Sequence, residues 1–403
     1  MILRDCIVLA GSELEPRQCS VFETEGDCIV RMDLGEPVSR ITEGATLVMP
    51  GLVNSHTHMG DSFIPDGATG LTLEQGFFRP DGFKYREIAK LDAAAHIRYI
   101  SDALRYMANS GTIAHFDFRE QGPEGARRLK VASEVTGVRS VILGQFDHVP
   151  FTEAELLENQ ASLSEGSLSE LTAMLDIADG FSESTMNDLT DPAWQQICEL
   201  TKSKKKARAI HCLENVGYRD LCLERTGRGD LIQAIELLEP DIIVHLTVAT
   251  DAEIELLAKH SVTAVLNPRA NANLGLPLPP IAKLLDAGVN LLLGTDNGLL
   301  NSPSMLAELD FTYKVAKSQY GDALNPPPEA ILKMATSNVS KTRWGREFPG
   351  RLEVGLPANF TLIDFDAIHL RRSANLLASV ITRVTPADIL QTVREGQILY
   401  QRG

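Results

Sequence analysis

Short apolar runs alternate with longer, charged segments of helical periodicity through most of the chain. We predict eight strands from these runs: Thr46–Val53, Thr112–Phe118, Val138–Phe146, Leu171–Ala178, Ala207–Cys212, Ile242–Leu246, Val262–Leu266 and Val289–Gly294. The helices predicted between them include Arg86–Asn109, Asp191–Lys202, Ala252–Lys259 and Ile281–Ala287. Eight strand–helix repeats are typical of an α/β protein whose parallel strands close into a (β/α)8 TIM barrel. The competing fold, a doubly wound open sheet, lacks its commonest marker, because no G-x-G-x-x-G motif follows the first run.

The two ends of the chain have a different pattern. Apolar, β-branched runs at Ile2–Leu9 and Cys28–Met32, and again at Asn359–Phe365 and Gly396–Tyr400, predict short strands. Strands at both ends of one body indicate that the termini meet in a small β-sandwich domain. We place this domain at residues 1–48 and 345–403, and the catalytic barrel at residues 49–344.

The net charge of the chain argues against two classes of binding partner. The 403 residues include 38 Lys and Arg against 54 Asp and Glu, which gives a formal net charge of −16. Because nucleic acids and anionic membranes attract basic surfaces, we expect neither as a partner. We see no apolar run of the roughly 18 residues that a membrane-spanning helix needs and no secretory signal after Met1. The six cysteines form no C-x-x-C pair, so we expect reduced thiols in a cytoplasmic protein.

Two histidines follow the first predicted barrel strand. His56 and His58 are two residues apart, a spacing that places both imidazoles on one face of a strand. Since active sites of TIM barrels lie at the carboxyl ends of the strands, both rings are predicted to point into the barrel mouth. Imidazole is the commonest metal ligand in proteins, although two hydrogen-bonded histidines would show the same spacing.

Further ionisable residues end other predicted strands. His211 ends the fifth strand, with Glu214 three residues on, His245 ends the sixth and Asp296 ends the eighth. Each has an ordinary alternative, such as a buried histidine with a surface glutamate, or a helix N-cap for Asp296. Because all of these residues lie at the ends of predicted strands, we favour a single site that contains all of them over separate structural roles. Three imidazoles and a carboxylate, with a position left for water, are typical of a catalytic metal centre.

These motifs together resemble the amidohydrolase superfamily, in the branch that holds cytosine deaminase, guanine deaminase and the triazine hydrolases. The motifs that carry the resemblance are P-G-L-V-N-S-H-T-H at 50–58, H-C-L-E at 211–214, V-H at 244–245, N-P-R-A-N-A-N-L-G at 267–275 and G-T-D-N at 294–297. The resemblance implies that one divalent ion, zinc or else iron, is bound by His56, His58, His211 and Asp296. It also implies that Glu214 shuttles protons and that His245 orients the metal-bound water.

The chain departs from the family pattern in three places. The segment after His58 lacks the arginine-containing loop common in the nucleoside and triazine members, Arg269 stands where a small hydroxyl residue is frequent, and Asn359 replaces an aspartate. The subclass with a carbamylated lysine is excluded, because the predicted fourth strand region, residues 171–179, contains no lysine.

The predicted activity is hydrolytic deamination of a nitrogen heterocycle of the amino-purine, pyrimidine or pterin type, rather than cleavage of a peptide bond. Asp296 would act as ligand and general base, Glu214 as the acid that protonates ring nitrogen and amine, and His245 as a hydrogen-bonding partner of the developing charge. The alternative is a hydrolase of a cyclic amide or amidine, or of another C–N or C–Cl bond, because the same residues would serve it. We expect a small-molecule substrate and a homo-oligomer.

Candidate substrate contacts are weaker. Gln145 and His148 lie at or just past the end of the third predicted strand, and Arg269 lies in the fourth of the motifs above. His115 and Asp117 alternate on the second strand, where a buried structural pair is the favoured interpretation. An aromatic lid is an alternative to ordinary loop packing for the three phenylalanines after the first motif, Phe77, Phe78 and Phe83.

Overall fold

The computed structural model describes residues 1–41 and 44–403. Its strands are β1 (Ile2–Ala10), β2 (Glu15–Glu25), β3 (Cys28–Pro37), β4 (Thr46–Pro50), β5 (Leu52–His58), β6 (Thr112–Arg119), β7 (Arg139–Gly144), β8 (Gly180–Glu183), β9 (Ala207–Cys212), β10 (Ile242–His245), β11 (Thr263–Leu266), β12 (Leu291–Leu293), β13 (Asp296–Asn297), β14 (Phe360–Asp364), β15 (Ile389–Arg394) and β16 (Gln397–Gln401).

The α-helices are α1 (Leu73–Phe77), α2 (Phe83–Ile88), α3 (Ala93–Asn109), α4 (Gly122–Thr136), α5 (Glu153–Glu158), α6 (Glu165–Leu175), α7 (Asp191–Ser203), α8 (Val216–Thr226), α9 (Asp230–Gln233), α10 (Asp251–His260), α11 (Pro268–Asn273), α12 (Ile281–Asp286), α13 (Met305–Tyr320), α14 (Pro328–Lys333) and α15 (Leu376–Arg383). Short 3₁₀ turns occupy Met59–Asp61, Met186–Asp188, Ser337–Lys341 and Pro386–Asp388, and a π-helical turn follows α9 at Ala234–Leu238. No helix in the described part of the chain combines the length and apolar character needed to cross a bilayer.

Two sheets organise the strands. The strands from both ends of the chain form a largely antiparallel sheet in the order β16-β15-β14-β4-β1-β2-β3. The second sheet runs β12-β11-β10-β9-β8-β7-β6-β5-β13 with parallel pairing throughout, and β13 pairs with β5 to close the ring. The predicted (β/α)8 barrel with a separate sheet from the termini is confirmed.

Two predicted elements are each divided in the structure. The run Thr46–Val53 is not one barrel strand but divides at Gly51 into β4 of the terminal sheet and β5 of the barrel. Glycine is required at this division, because an added Cβ would lie 2.5 Å from the Ile113 side chain. The predicted helix Arg86–Asn109 likewise divides, since Asp92 caps the start of α3.

The fourth predicted strand, Leu171–Ala178, is wrong. Most of it is the end of α6, and the strand lies at β8. The buried residues Leu171, Met174 and Leu175 have i, i+3, i+4 spacing, which is the apolar face of an amphipathic helix. Because β8 also contains no lysine, the exclusion of a carbamylated-lysine site still holds.

The barrel interior is a packed core beneath a polar mouth. Ile243 packs with the helices around the barrel, whereas its neighbours Ile242 and Val244 belong to a second cluster that Phe118 and Trp344 also join. This alternation follows from the two-residue period of a strand. Phe118 is fully buried and lies 4.3 Å from the ring of His56 at an angle of 82°, so the apolar core forms the floor of the mouth.

A pair of buried polar residues fastens the closure of the barrel. The Asn54 amide donates to Thr295 Oγ1 at 2.7 Å, and its oxygen accepts from the backbone N–H of Thr295 at 3.0 Å. Both residues are buried. These two hydrogen bonds join β5 to Thr295, which lies between β12 and β13.

Asn54→Ala is expected to lower the free energy of unfolding by about 2–4 kcal/mol, because two buried partners in Thr295 lose their hydrogen bonds. Urea denaturation of the metal-free protein measures the change. Asn109→Ala is the matched control: Asn109 is half-buried and makes no side-chain hydrogen bond with the described residues, so it should change stability by less than about 0.5 kcal/mol. Equal effects of the two substitutions would contradict the role of Asn54 in closure.

Candidate metal centre and active site

Five predicted residues meet at the carboxyl ends of the barrel strands. His56 and His58 lie on β5, His211 on β9, His245 at the end of β10 and Asp296 on β13. All five are buried. His245 and Asp296 have φ values of 83° and 65°, a left-handed conformation that costs a non-glycine residue free energy and is found most often at functional sites. The backbone is thus bent at both positions to turn the side chains over the mouth.

The ring nitrogens and carboxylate oxygens of these residues are close enough to share one cation. Ligand atoms of His56, His58 and His211 lie within 4.8 Å of one another, as do those of His56, His245 and Asp296. Asp296 Oδ1 is 3.3 Å from His56 Nε2 and 3.7 Å from His58 Nε2. The structure therefore brings together the four residues predicted as metal ligands and adds His245 to their surroundings.

The hydrogen bonds of two histidines leave unshared electron pairs facing each other. His58 Nδ1 lies 2.8 Å from Glu120 Oε1, and His211 Nδ1 lies 2.8 Å from the backbone oxygen of Glu183. Carboxylate and carbonyl oxygens only accept, so each Nδ1 carries the proton and each Nε2 of a neutral ring has a free lone pair. These two Nε2 atoms are 3.4 Å apart. A divalent cation between them satisfies both, and such outer contacts are typical of metal-binding histidines.

His56 gives independent support for a cation. It is fully buried, and neither ring nitrogen makes a hydrogen bond of good geometry with the described residues, although Nε2 lies 3.3 Å from Asp296 Oδ1. Burial lowers the pKa of His56 to about 3, so the ring is neutral at physiological pH. Close packing holds it in place, because a Cβ added at Gly294 would lie 2.5 Å from its Cβ. Since buried polar groups normally have partners, this donor set fits a divalent metal ion.

Asp296 is held as an anion. Burial alone would raise the pKa of this carboxyl, but contact with His56 and the other histidines holds the pKa below its ordinary value. The Asn297 amide donates to Asp296 Oδ1 at 2.8 Å, which fixes the orientation of the carboxylate. A negative oxygen is therefore available both to bind a cation and to accept a proton.

Glu214 and His245 lie together on one side of the cluster. Glu214 Oε1 is 3.6 Å from His245 Nε2. Burial, followed by the neighbouring Asp296 charge, raises the pKa of Glu214 to about 8, so a protonated carboxyl is available near neutral pH. Burial lowers the pKa of His245 to about 4, and the side-chain amides of Asn267 and Asn271 lie 3.3 and 3.2 Å from its Nδ1.

The cavity beside these groups is small and lined by residues of several loops. Its volume is about 40 Å³. Lining residues that the sequence reasoning did not assign to the site are Leu73, Lys84, Tyr85, Ser184, Tyr218 and Asn297. Phe77, one of the three phenylalanines considered as a lid, also lines it, while Phe78 stacks on Tyr218 with ring centroids 4.8 Å apart.

Two of the residues missed from sequence had a detectable signal. Glu120 comes directly after β6, and Asn297 directly after Asp296, so both obey the rule that functional residues follow barrel strands. Lys84 had none, because it lies in α2, within the long connection between β5 and α3.

The predicted substrate contacts are scattered. Gln145 is buried next to the site, with Nε2 3.4 Å from Ser184 Oγ and no partner among the described residues for Oε1. His148 has a side chain that is 85% exposed and lines a separate cavity. Arg269 donates to the backbone oxygen of Ser302 and lines a third cavity. Of these three, only Gln145 is near the cluster.

His115 and Asp117 form the buried structural contacts that the sequence favoured. His115 lies 2.8 Å from Thr57 Oγ1 and 2.6 Å from Ser140 Oγ. Asp117 accepts from Thr57 Oγ1 and from the backbone N–H of Met59. These bonds fix Thr57, which lies between His56 and His58, and the backbone of Met59, which follows His58.

Comparison with known proteins agrees with this geometry. The profile of the Amidohydrolase family matches residues 47–399. A protein of Methanothermobacter thermautotrophicus named "Putative aminohydrolase" is 30% identical over 400 residues, with 99% of each chain covered. A 5-methylthioadenosine/S-adenosylhomocysteine deaminase of Caldanaerobacter subterraneus is 28% identical over 398 residues, covering 94% of this chain and 88% of the relative.

Solved structures give the same fold. An adenosine deaminase from Xanthomonas campestris with bound zinc superposes with a TM-score of 0.82 at 20% identity, covering 98% of this chain and 92% of the other. The solved structures show the fold, whereas the family profile and the full-length relative show the family. The chain belongs to the amidohydrolase family, and the prediction of a hydrolase that acts on carbon–nitrogen bonds is confirmed.

Proposed function

We propose that the protein is a mononuclear, metal-dependent deaminase that hydrolyses an exocyclic amine from a nitrogen heterocycle. The observation that carries this proposal is the buried Glu214 carboxyl beside the cluster of histidines and Asp296. An amide carbonyl needs less help at nitrogen, because water addition places charge on its oxygen, whereas a ring amidine must gain a proton on its ring nitrogen when water adds to the neighbouring carbon. A protonated carboxyl in this position supplies that proton.

One zinc ion is the proposed cofactor, held by His56, His58, His211 and Asp296. The nitrogen and oxygen donors suit zinc and iron alike, and the zinc in the related adenosine deaminase structure supports zinc. A divalent ion at such a site lowers the pKa of water toward 7 and so supplies a nucleophile at neutral pH.

The remaining residues move or stabilise protons and charge. Asp296 accepts the proton of the attacking water on a carboxylate oxygen. Glu214 gives its proton to the ring nitrogen, takes up the second proton of the added water as the ring carbonyl forms, and passes it to the departing amine, which leaves as ammonia. The proton on Asp296 returns to Glu214 through solvent. His245, neutral and anchored at Nδ1, directs Nε2 toward the oxygen that gains charge. The products are a ring carbonyl and ammonia.

The substrate class is proposed as an amino-purine, pyrimidine or pterin. The similarity to the 5-methylthioadenosine/S-adenosylhomocysteine deaminase of Caldanaerobacter subterraneus supports an amino-purine within this set. The six free cysteines agree with a reducing, cytoplasmic compartment, and a homo-oligomer stays a prediction.

Ammonia release distinguishes deamination from the other hydrolyses that the same residues could perform. The purified protein, with its zinc content measured, is incubated with cytosine, guanine, adenine, a pterin and nucleoside amines, and ammonia is followed by a coupled assay. We expect ammonia in equal amount to the ring carbonyl product. Turnover of a cyclic amide or a chlorinated ring, with no ammonia from any amine, would contradict the proposal.

Glu214→Gln should keep the zinc and lower kcat on the order of 10² or more, since the amide keeps the shape of the side chain but cannot transfer a proton. Glu255→Gln, an exposed glutamate on α10, is the control and should leave kcat unchanged. Near-normal turnover by the Glu214 variant would contradict the acid role of Glu214 and favour a hydrolase that needs no acid at this position.

His211→Ala should remove most of the bound metal and the activity with it, because an aliphatic side chain replaces one of three imidazole ligands. Elemental analysis should find about one zinc per parent chain and well below that in the variant. His260→Ala, at an exposed position at the end of α10, should bind zinc as the parent does. An active parent protein without metal would contradict the metal centre.

A further inference from the structure

The cavity at the cluster is too small for the proposed substrates. Its volume of about 40 Å³ compares with about 300–1,000 Å³ for ordinary ligand pockets. The wall on one side belongs to residues 71–89, which we call the covering segment. Leu73, Phe77, Lys84 and Tyr85 from this segment line the cavity. A heterocycle can therefore reach Glu214 only if the covering segment moves.

The covering segment belongs to the long connection between β5 and α3, residues 59–92. Connections of this length in a compact domain are commonly lids or binding loops. Two buried cations fasten it over the barrel mouth. Arg79 pairs with the carboxylates of Glu183 and Asp188, and Lys84 pairs with Glu120.

Lys84 is the more informative of the two cations. Its side chain is only 3% exposed. The ammonium group contacts Glu120 Oε1, donates to Asn297 Oδ1 at 2.8 Å and lies 3.8 Å from Asp61 Oδ2. Burial would lower the pKa of Lys84, but Glu120 and Asp61 outweigh it and hold the pKa above its ordinary value. The group is therefore a charged ammonium that is held by oxygen atoms of Glu120, Asn297 and Asp61.

The two main partners of Lys84 each hold a proposed metal ligand. The Glu120 oxygen that pairs with Lys84 is the one that accepts from His58 Nδ1 at 2.8 Å. The Asn297 amide accepts from Lys84 through its oxygen and donates to Asp296 through its nitrogen, both at 2.8 Å. One ammonium group on the covering segment thus orients the outer contacts of two ligands.

We propose that Lys84 is a positioning residue that couples closure of the covering segment to the orientation of His58 and Asp296. When the segment opens to admit substrate, Lys84 leaves Glu120 and Asn297, and both ligands lose part of their support. When it closes, the contacts return and the metal-binding geometry is completed around the bound heterocycle. This inference rests on the proposed function, because it takes His58 and Asp296 as metal ligands.

A merely structural ion pair would also fasten the segment, so the test measures the metal as well as the segment. Lys84→Met removes the charge and keeps most of the volume. Zinc affinity is measured by competition with a chromophoric chelator, and amide hydrogen exchange over residues 73–88 is measured in the metal-free protein. We expect zinc affinity to fall by up to about ten-fold and exchange to become faster, because Glu120 and Asn297 keep their contacts with the ligands, whereas losing such a contact outright costs about ten- to hundred-fold.

Lys90→Met is the matched control. Lys90 lies just beyond the covering segment, is exposed and pairs only with Glu87 among the described residues, so both measurements should equal those of the parent. Lys84→Arg, which keeps the charge, should recover part of the zinc affinity. Faster exchange with unchanged zinc affinity in Lys84→Met would show that Lys84 only fastens the segment, and no change in either measurement would overturn the inference entirely.

Glu120→Gln provides a second route if Lys84→Met does not fold. The amide oxygen still accepts from His58 Nδ1, but the negative charge that Lys84 pairs with is gone, so zinc affinity should fall and exchange should rise. Parent-like values in a folded Glu120→Gln protein would overturn the inference. A parent protein that binds no zinc overturns the proposed function and the inference together, whereas a zinc-binding parent with an equally tight Lys84→Met variant overturns the inference alone.

Discussion

The site depends on one constraint: imidazole nitrogens with unshared electron pairs face each other in the buried mouth of the barrel. His58 and His211 each donate an Nδ1 proton to a fixed oxygen, so that the two Nε2 atoms, 3.4 Å apart, carry the lone pairs when both rings are neutral. In a low-dielectric interior such an arrangement is unfavourable without a cation. The fold therefore places these nitrogens where a cation would satisfy both, and the Asp296 carboxylate lies beside His58 to balance the charge of such a cation.

The barrel makes this geometry possible because its lower part is a solid core. Phe118 and the side chains below it fill the interior up to the ring of His56, so the imidazoles rest on a rigid, apolar floor. The hydrogen bonds between Asn54 on β5 and Thr295, just before β13, keep His56 and Asp296 in register.

The covering segment has the opposite requirement. It must exclude water when closed and release when substrate arrives, and it is held both by the buried charges of Arg79 and Lys84 and by apolar contacts such as the stacking of Phe78 on Tyr218.

Much of the site could be predicted from the sequence, because barrel chemistry is confined to the residues that follow each strand. The five residues His56, His58, His211, His245 and Asp296 lie at or just after the ends of predicted strands, and the structure brings their side chains together. The sequence could not show which side chains of the loops turn inward. Candidates chosen only for lying near a strand end or in a motif were therefore unreliable, as the exposed side chain of His148 shows.

The sequence by itself determined the strand–helix rhythm, the closed barrel and the set of ionisable strand-end residues, since periodicity of 2.0 or 3.6 and strand-end position are local properties. Tertiary structure decided what depends on contacts between distant segments. Leu171–Ala178 became a helix end because its apolar face packs on neighbouring helices, an ambiguity that a short apolar run always carries. Lys84 contacts Asn297, 213 positions away, only because the chain folds back over its own barrel. A buried charge is unfavourable without polar partners, so Lys84 pairs with the carboxylate and amide oxygens that the fold places near it.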